Sequence, residues 1–100
     1  MAGIINRMPL HELHSFIESE IAGVPNQRGV YVLYQVQSPL HADGSENLRQ
    51  ALTAARTQFR GATHFSTETC ETSARMRERL RQLREELRLV RTLAFVPRPV

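Results

Sequence analysis

Arginines recur at positions 77, 81, 84, 88 and 91, at spacings of three and four. On a helix that spacing lines them along one side. A guanidinium stays charged at any physiological pH and donates in a planar fork that matches a phosphate, so such a row could hold a phosphodiester backbone. Arg77, Arg81, Arg84 and Arg88 are therefore the candidate nucleic-acid-binding residues. The same row reads alternatively as a solvated face whose arginines offset neighbouring glutamates. Like charges at spacings of three and four repel, which fits that alternative less comfortably. No aromatic residue interleaves the row to stack on an unpaired base.

Other chemistries lack their parts. His11 and His14 stand three apart on one predicted helix, and His41 and His64 fall in predicted strands, but no cysteine or aspartate completes a zinc set with them. No metal site is expected from these residues. Cys70 is the single cysteine, so it forms no internal disulfide and reads as a buried, inert thiol in a reduced setting. No histidine–carboxylate system lies beside it in sequence. No glycine-rich turn followed by Lys-Ser/Thr and no Gly-x-Ser-x-Gly elbow occurs.

The charge is unevenly spread. All thirteen cationic side chains are arginine. Residues 1–74 carry five Arg against seven acids, and residues 75–100 carry eight Arg against three Glu. The positive charge thus belongs to the C-terminal part, which suits a polyanion or an acidic partner. One hundred residues, 41% hydrophobic and 23% charged, fit one domain spanning 1–100 with one modest core. No run of eighteen apolar residues occurs, so no membrane span is expected. The first residues lack the apolar core of a secretory signal, and a cytoplasmic location is the expectation.

The elements that must position these residues follow from spacing. Leu10, Leu13, Phe16, Ile17 and Ile21 recur at helical intervals after Met8-Pro9, predicting an N-terminal helix over 8–22 that Gly23 and Pro25 stop. "VYVLYQV", residues 30–36, is the clearest strand, with Val30, Val32, Tyr34 and Val36 on one face and Tyr31 and Leu33 on the other. Ser38-Pro39 breaks it, and "LHA" predicts a short second strand before a turn at Asp43-Gly44. Ser45 is placed as the N-cap of a helix running to about Phe59, with Leu48, Leu52 and Ala55 buried. Residues 62–70 alternate weakly and read as a third strand. From about Thr72 to Leu93 no proline or glycine intervenes, and Met76, Leu80, Leu83, Leu87, Val90 and Ala94 form an apolar seam. Residues 94–100 read as an extended tail. The expected fold class is α+β: a small, mostly antiparallel three-stranded sheet flanked by helices, with a long C-terminal helix.

"GVY" at 29–31, the glycine at position 44 and "NLRQAL" at 47–52 together resemble the GIY-YIG nuclease domain, over roughly residues 24–80 within a core of 24–93. The resemblance places the family's first tyrosine on Tyr31, its second motif on Ala42, Asp43 and Gly44, its helix arginine on Ala51, and its metal-binding glutamate on Glu78, with Glu71 as the second choice. In that family a tyrosine orients or activates water, the arginine stabilises charge on the phosphorus, and a metal polarises the phosphoryl oxygen. Here alanine stands where the second tyrosine and the helix arginine belong. Arg49 and Arg56 lie about 160° and about 140° around the helix from Ala51, so neither substitutes obviously.

The resemblance therefore implies a degenerate domain, with Tyr31 and Glu78 as vestigial catalytic candidates and no cofactor, or Mg²⁺ were the site active. The function expected is a non-catalytic binding module for DNA or RNA, using the arginine-rich C-terminal helix. The alternative is a homodimer or protein-interaction domain using that helix, and behind it an active metal-dependent nuclease. The seam itself is expected to pack on the domain's own sheet in preference to a second copy.

Overall fold

A computed structural model describes residues 12–87 of the chain. The apolar run from Val30 to Leu33 is too continuous for a strand with one wet face, and it lies inside the sheet. Strand β2 (Gly29–Gln35) is buried from Gly29 through Leu33. It pairs antiparallel with β3 (Ser38–Ser45) on one side and β4 (His64–Thr69) on the other. A two-residue strand, β1 (His14–Ser15), adds to the far edge of β4, so among the described residues the sheet has four strands in the order β1-β4-β2-β3 where the sequence predicts three.

Helices cover both faces. Val30 and Val32 pack with Ala42 and Leu83 beneath the last helix, α3 (Ser73–Leu87). Tyr31 and Leu33 pack with Phe65, Leu48, Leu52 and Ala55 beneath the helix before it, α2 (Leu48–Gln58). The two-face division of the strand is as its alternation predicts, up to Tyr34. Val36 departs from it: its backbone is left-handed (φ 61°), it opens the turn between β2 and β3, and it is 63% exposed. Gly29 is required by close approach, since a Cβ there would run into the Glu68 carbonyl oxygen and lie 2.7 Å from Leu48 Cδ1.

Four expectations are corrected. Asp43-Gly44 is no turn, because β3 runs through it with Asp43 opposite Tyr31 and Gly44 opposite Val30. Pro39, which lacks a ladder donor, is accommodated because β3 is an edge strand with a bulge at Leu33/Tyr34. The cap of α2 is Asn47, whose side chain accepts from Gln50 N at 3.2 Å; Ser45 instead accepts from Asn47 N at 3.0 Å. The N-terminal helix over 8–22 shrinks, among the described residues, to the short α1 (Glu18–Ile21), and 8–11 lie outside them. Extended backbone wins at His14–Ser15 because it pairs with Phe65 and His64, and the His14 ring packs 5.4 Å from that of Phe65.

The seam of α3 is taken up by the domain's own sheet, with Leu83 2% exposed and Met76, Leu80 and Leu87 partly buried around it. Thr72 caps this helix, accepting from Arg75 N at 3.1 Å. The remainder of the predicted helix, including Arg88, Val90 and Ala94, and the tail lie outside the described residues. No described helix is long and apolar enough to cross a membrane.

Candidate functional site

Strand pairing gathers one polar cluster around the tyrosine that the sequence singles out. Tyr31 is 5% exposed on the α2 side of β2, and Asp43 stands opposite it on β3. His41, two residues back along β3, shares that face. Its ring lies 6.1 Å from that of Tyr31 and stacks at 4.5 Å on Phe59, at the end of α2. His41 Nε2 is 3.9 Å from Asp43 Oδ2, too long for a hydrogen bond. Arg84 reaches the same edge from α3, placing Nη2 3.7 Å from Asp43 Oδ1 and donating to the Ala42 carbonyl at 3.1 Å.

The environment keeps both rings in their neutral forms at pH 7. Burial, with a further contribution from the Asp43 charge, pushes the Tyr31 hydroxyl up to about 12. Burial lowers the His41 pKa below its ordinary value, and Arg84 adds to this, against the opposing pull of Asp43. A neutral imidazole next to a carboxylate could accept a proton, but Asp43 is shared with Arg84.

Glu78 lies elsewhere. Arg81 donates to both of its carboxylate oxygens, at 2.6 and 3.4 Å, and Gln82 donates to one at 3.3 Å. The Arg81 hydrogen bonds and charge hold this exposed carboxyl below its usual range. Because α3 covers the Val30–Val32 face while Tyr31 points to the α2 face, the sheet stands between the two vestigial candidates. Glu71, the second choice, contributes its backbone carbonyl to Arg28 Nη1 at 2.7 Å.

The arginine row is engaged unevenly. Arg81 also reaches Glu85 at 3.2 Å, Arg84 is turned to Asp43, and Arg79, off the row, pairs with Glu68 at 2.9 Å. Arg77 is exposed and makes no ion pair among the described residues, and Arg88 lies outside them. Cys70 packs with the α3-side core, and its thiol is pushed up by burial and by the Glu68 charge.

No protein-family model and no curated protein sequence matches the chain. Among solved structures, two crystal structures of point mutants of the GIY-YIG N-terminal endonuclease domain of UvrC from Thermotoga maritima, each bound to its catalytic divalent cation, match it with a TM-score of 0.62. Identity is 15% and 14%, over 70% of this chain and 87% of theirs. The fold is GIY-YIG-like. At this identity the likeness is one of architecture.

Ala42, where the sequence resemblance puts the second tyrosine, is 2% exposed and packed with Leu83. Ala51, where the resemblance puts the helix arginine, is partly buried and packs against the α2-side core. Glu78 is engaged by Arg81, and among the described residues no three His, Cys, Asp or Glu side chains converge. In sequence His41 reads as a strand residue and Asp43 as part of a turn, and only the register of β3 brings both beside Tyr31. Their i, i+2 spacing would have placed them beside Tyr31 had the strand been carried through Asp43-Gly44.

Proposed function

We propose that the chain is a non-catalytic GIY-YIG-like domain that serves as a nucleic-acid-binding module. The observation that carries this reading is the pair of alanines: Ala42 and Ala51 fill core positions where the resemblance calls for a tyrosine and an arginine. Separation of Tyr31 from Glu78 by the sheet supports it further, since phosphodiester hydrolysis needs donors and metal to converge on one phosphorus. UvrC's domain is an endonuclease domain, and the likeness of fold brings nucleic acid to this chain as a partner class. Arg77, Arg81, Arg84 and Arg88 are the proposed contacts on the C-terminal helix. The pairs that Arg81 makes with Glu78 and Glu85 are solvent-exposed, so exchanging a carboxylate for a phosphate costs little. A cytoplasmic location belongs to the same reading.

The test combines cleavage and binding on the intact chain. With Mg²⁺ or Mn²⁺, DNA and RNA should remain uncut at the level of a Glu78→Gln control, while duplex or single strands bind at low salt with a strongly salt-dependent affinity. Cleavage lost in both Tyr31→Phe and Glu78→Gln would establish a live nuclease. Absence of binding at low salt would end the nucleic-acid reading.

A further inference from the structure

Within residues 12–87 nine arginines face ten acidic residues, so the described domain has no overall basic excess. Its cations are nevertheless not evenly matched. On α3, Arg79, Arg81 and Arg84 are each held by a carboxylate while Arg75 and Arg77 make no ion pair among the described residues, and beside its start Arg28 is held by Glu46 at 2.7 Å. Between Glu46 and Glu68 there is no acidic residue, and that stretch carries Arg49, Arg56 and Arg60. None of these three lies within ion-pair distance of a carboxylate among the described residues. The short helix packed against α2 brings Glu18 and Glu20, and Glu20 faces His14 at 3.5 Å.

Helix geometry lines up the first two of these arginines. Seven residues separate Arg49 from Arg56, just under two helical turns, so both fall on the same flank of α2, about 10 Å apart along its axis. Arg60 follows immediately beyond the helix end at Gln58. Arg56 and Arg60 are exposed, as is Thr53 between the first two arginines. The Thr53 hydroxyl donates to Arg49 O at 2.9 Å and keeps lone pairs toward solvent. Arg49 donates Nε to the Val24 carbonyl at 2.7 Å, which anchors it beside the flank.

From this we infer that the flank of α2 formed by Arg49, Arg56 and Arg60 is a phosphate-backbone contact surface, separate from α3. Its occupant is a nucleic-acid strand. Two cations about 10 Å apart along the helix and a third just past its end, none with a carboxylate to displace, complement a polyanion better than Arg81 and Arg84, which are self-paired on α3. Contacts of this kind read charge and spacing, so binding through this flank is indifferent to base sequence. The inference rests on the proposed nucleic-acid-binding function and adds a second contact surface to that of the C-terminal helix.

Fluorescence anisotropy with labelled duplex DNA, at several salt concentrations, separates the two. Arg56→Gln/Arg60→Gln should weaken binding severalfold for unrelated sequences alike and flatten the slope of log affinity against log salt by about one to two units. Arg56→Lys/Arg60→Lys should restore most of the slope, which a purely structural role for these exposed residues would not do. Arg77→Gln/Arg81→Gln serves as the comparison. If that pair weakens binding while Arg56→Gln/Arg60→Gln binds like wild type, the α2 surface is wrong and the proposed function stands. Failure of lysine to restore the slope also overturns the α2 surface. If wild type does not bind, both fall together.

Discussion

Tyr31 keeps its proton because the phenolate would have to form in a buried site beside Asp43. A raised pKa is a statement about stability as well as reactivity. The unfolded tyrosine ionises near 10 and the folded one near 12, so the folded state binds more protons between those values. Stability from this group is fully present below pH 10 and is lost as pH rises through 12. Two units correspond to roughly 3 kcal/mol. Denaturant titrations between pH 9 and 12 should show that fall in the wild type, and Tyr31→Phe should lack most of it. Equal alkaline profiles for the two would mean that the hydroxyl is not in the environment described. His41 works in the opposite direction: with its pKa lowered, the unfolded state takes up a proton first, and stability declines as pH falls from about 6.5. At neutral pH the Tyr31 hydroxyl is therefore no ready base, whereas the unprotonated His41 imidazole can accept a proton.

At the scale of elements, what was legible depended on how local the cause is. The two faces of β2 could be read from alternation, and Leu48, Leu52 and Ala55 from helical spacing, because each pattern is a property of its own segment. The passage of β3 through Asp43-Gly44 could not, since both residue types favour turns and only pairing with Tyr31 and Val30 overrides that tendency. The same holds for β1, whose partners lie fifty residues away. The face on which Tyr31 lies was therefore legible, while the approach of His41, Asp43 and Arg84 to that edge follows only from register and packing. The β2–β3 turn keeps a local conflict: Val36 is β-branched yet left-handed at φ 61°, held where its N–H donates to Thr63 Oγ1 at 2.6 Å. Replacing it with glycine removes the steric cost and gives up little buried surface, against a larger entropy loss on folding. The net expected is a gain of about 0.5–1 kcal/mol, seen as a melting temperature a few degrees higher. A lower melting temperature for Val36→Gly would show that the side chain is worth more in contacts than it costs in strain.

At the scale of the whole molecule, one sheet serves two cores. Leu52 closes the core under α2 and Leu83 the one under α3, and both are almost fully buried. Strand β2 belongs to both, contributing Tyr31 and Leu33 to one and Val30 and Val32 to the other. Loss of either helix exposes one face of that strand, so the two cores should melt together as one cooperative unit. Leu52→Ala and Leu83→Ala each open a cavity in a packed layer and should cost about 2–4 kcal/mol. Their side chains lie on opposite faces of the sheet and share no contact surface, so the double variant should equal the sum of the singles within about 0.5 kcal/mol. Helical circular dichroism and a tyrosine probe, followed through the same chemical unfolding, should give coincident transitions for all four proteins. Separate transitions in Leu83→Ala, with the helical signal lost first, would mean that α3 is an appendage, whereas a negligible cost would place its seam outside the core.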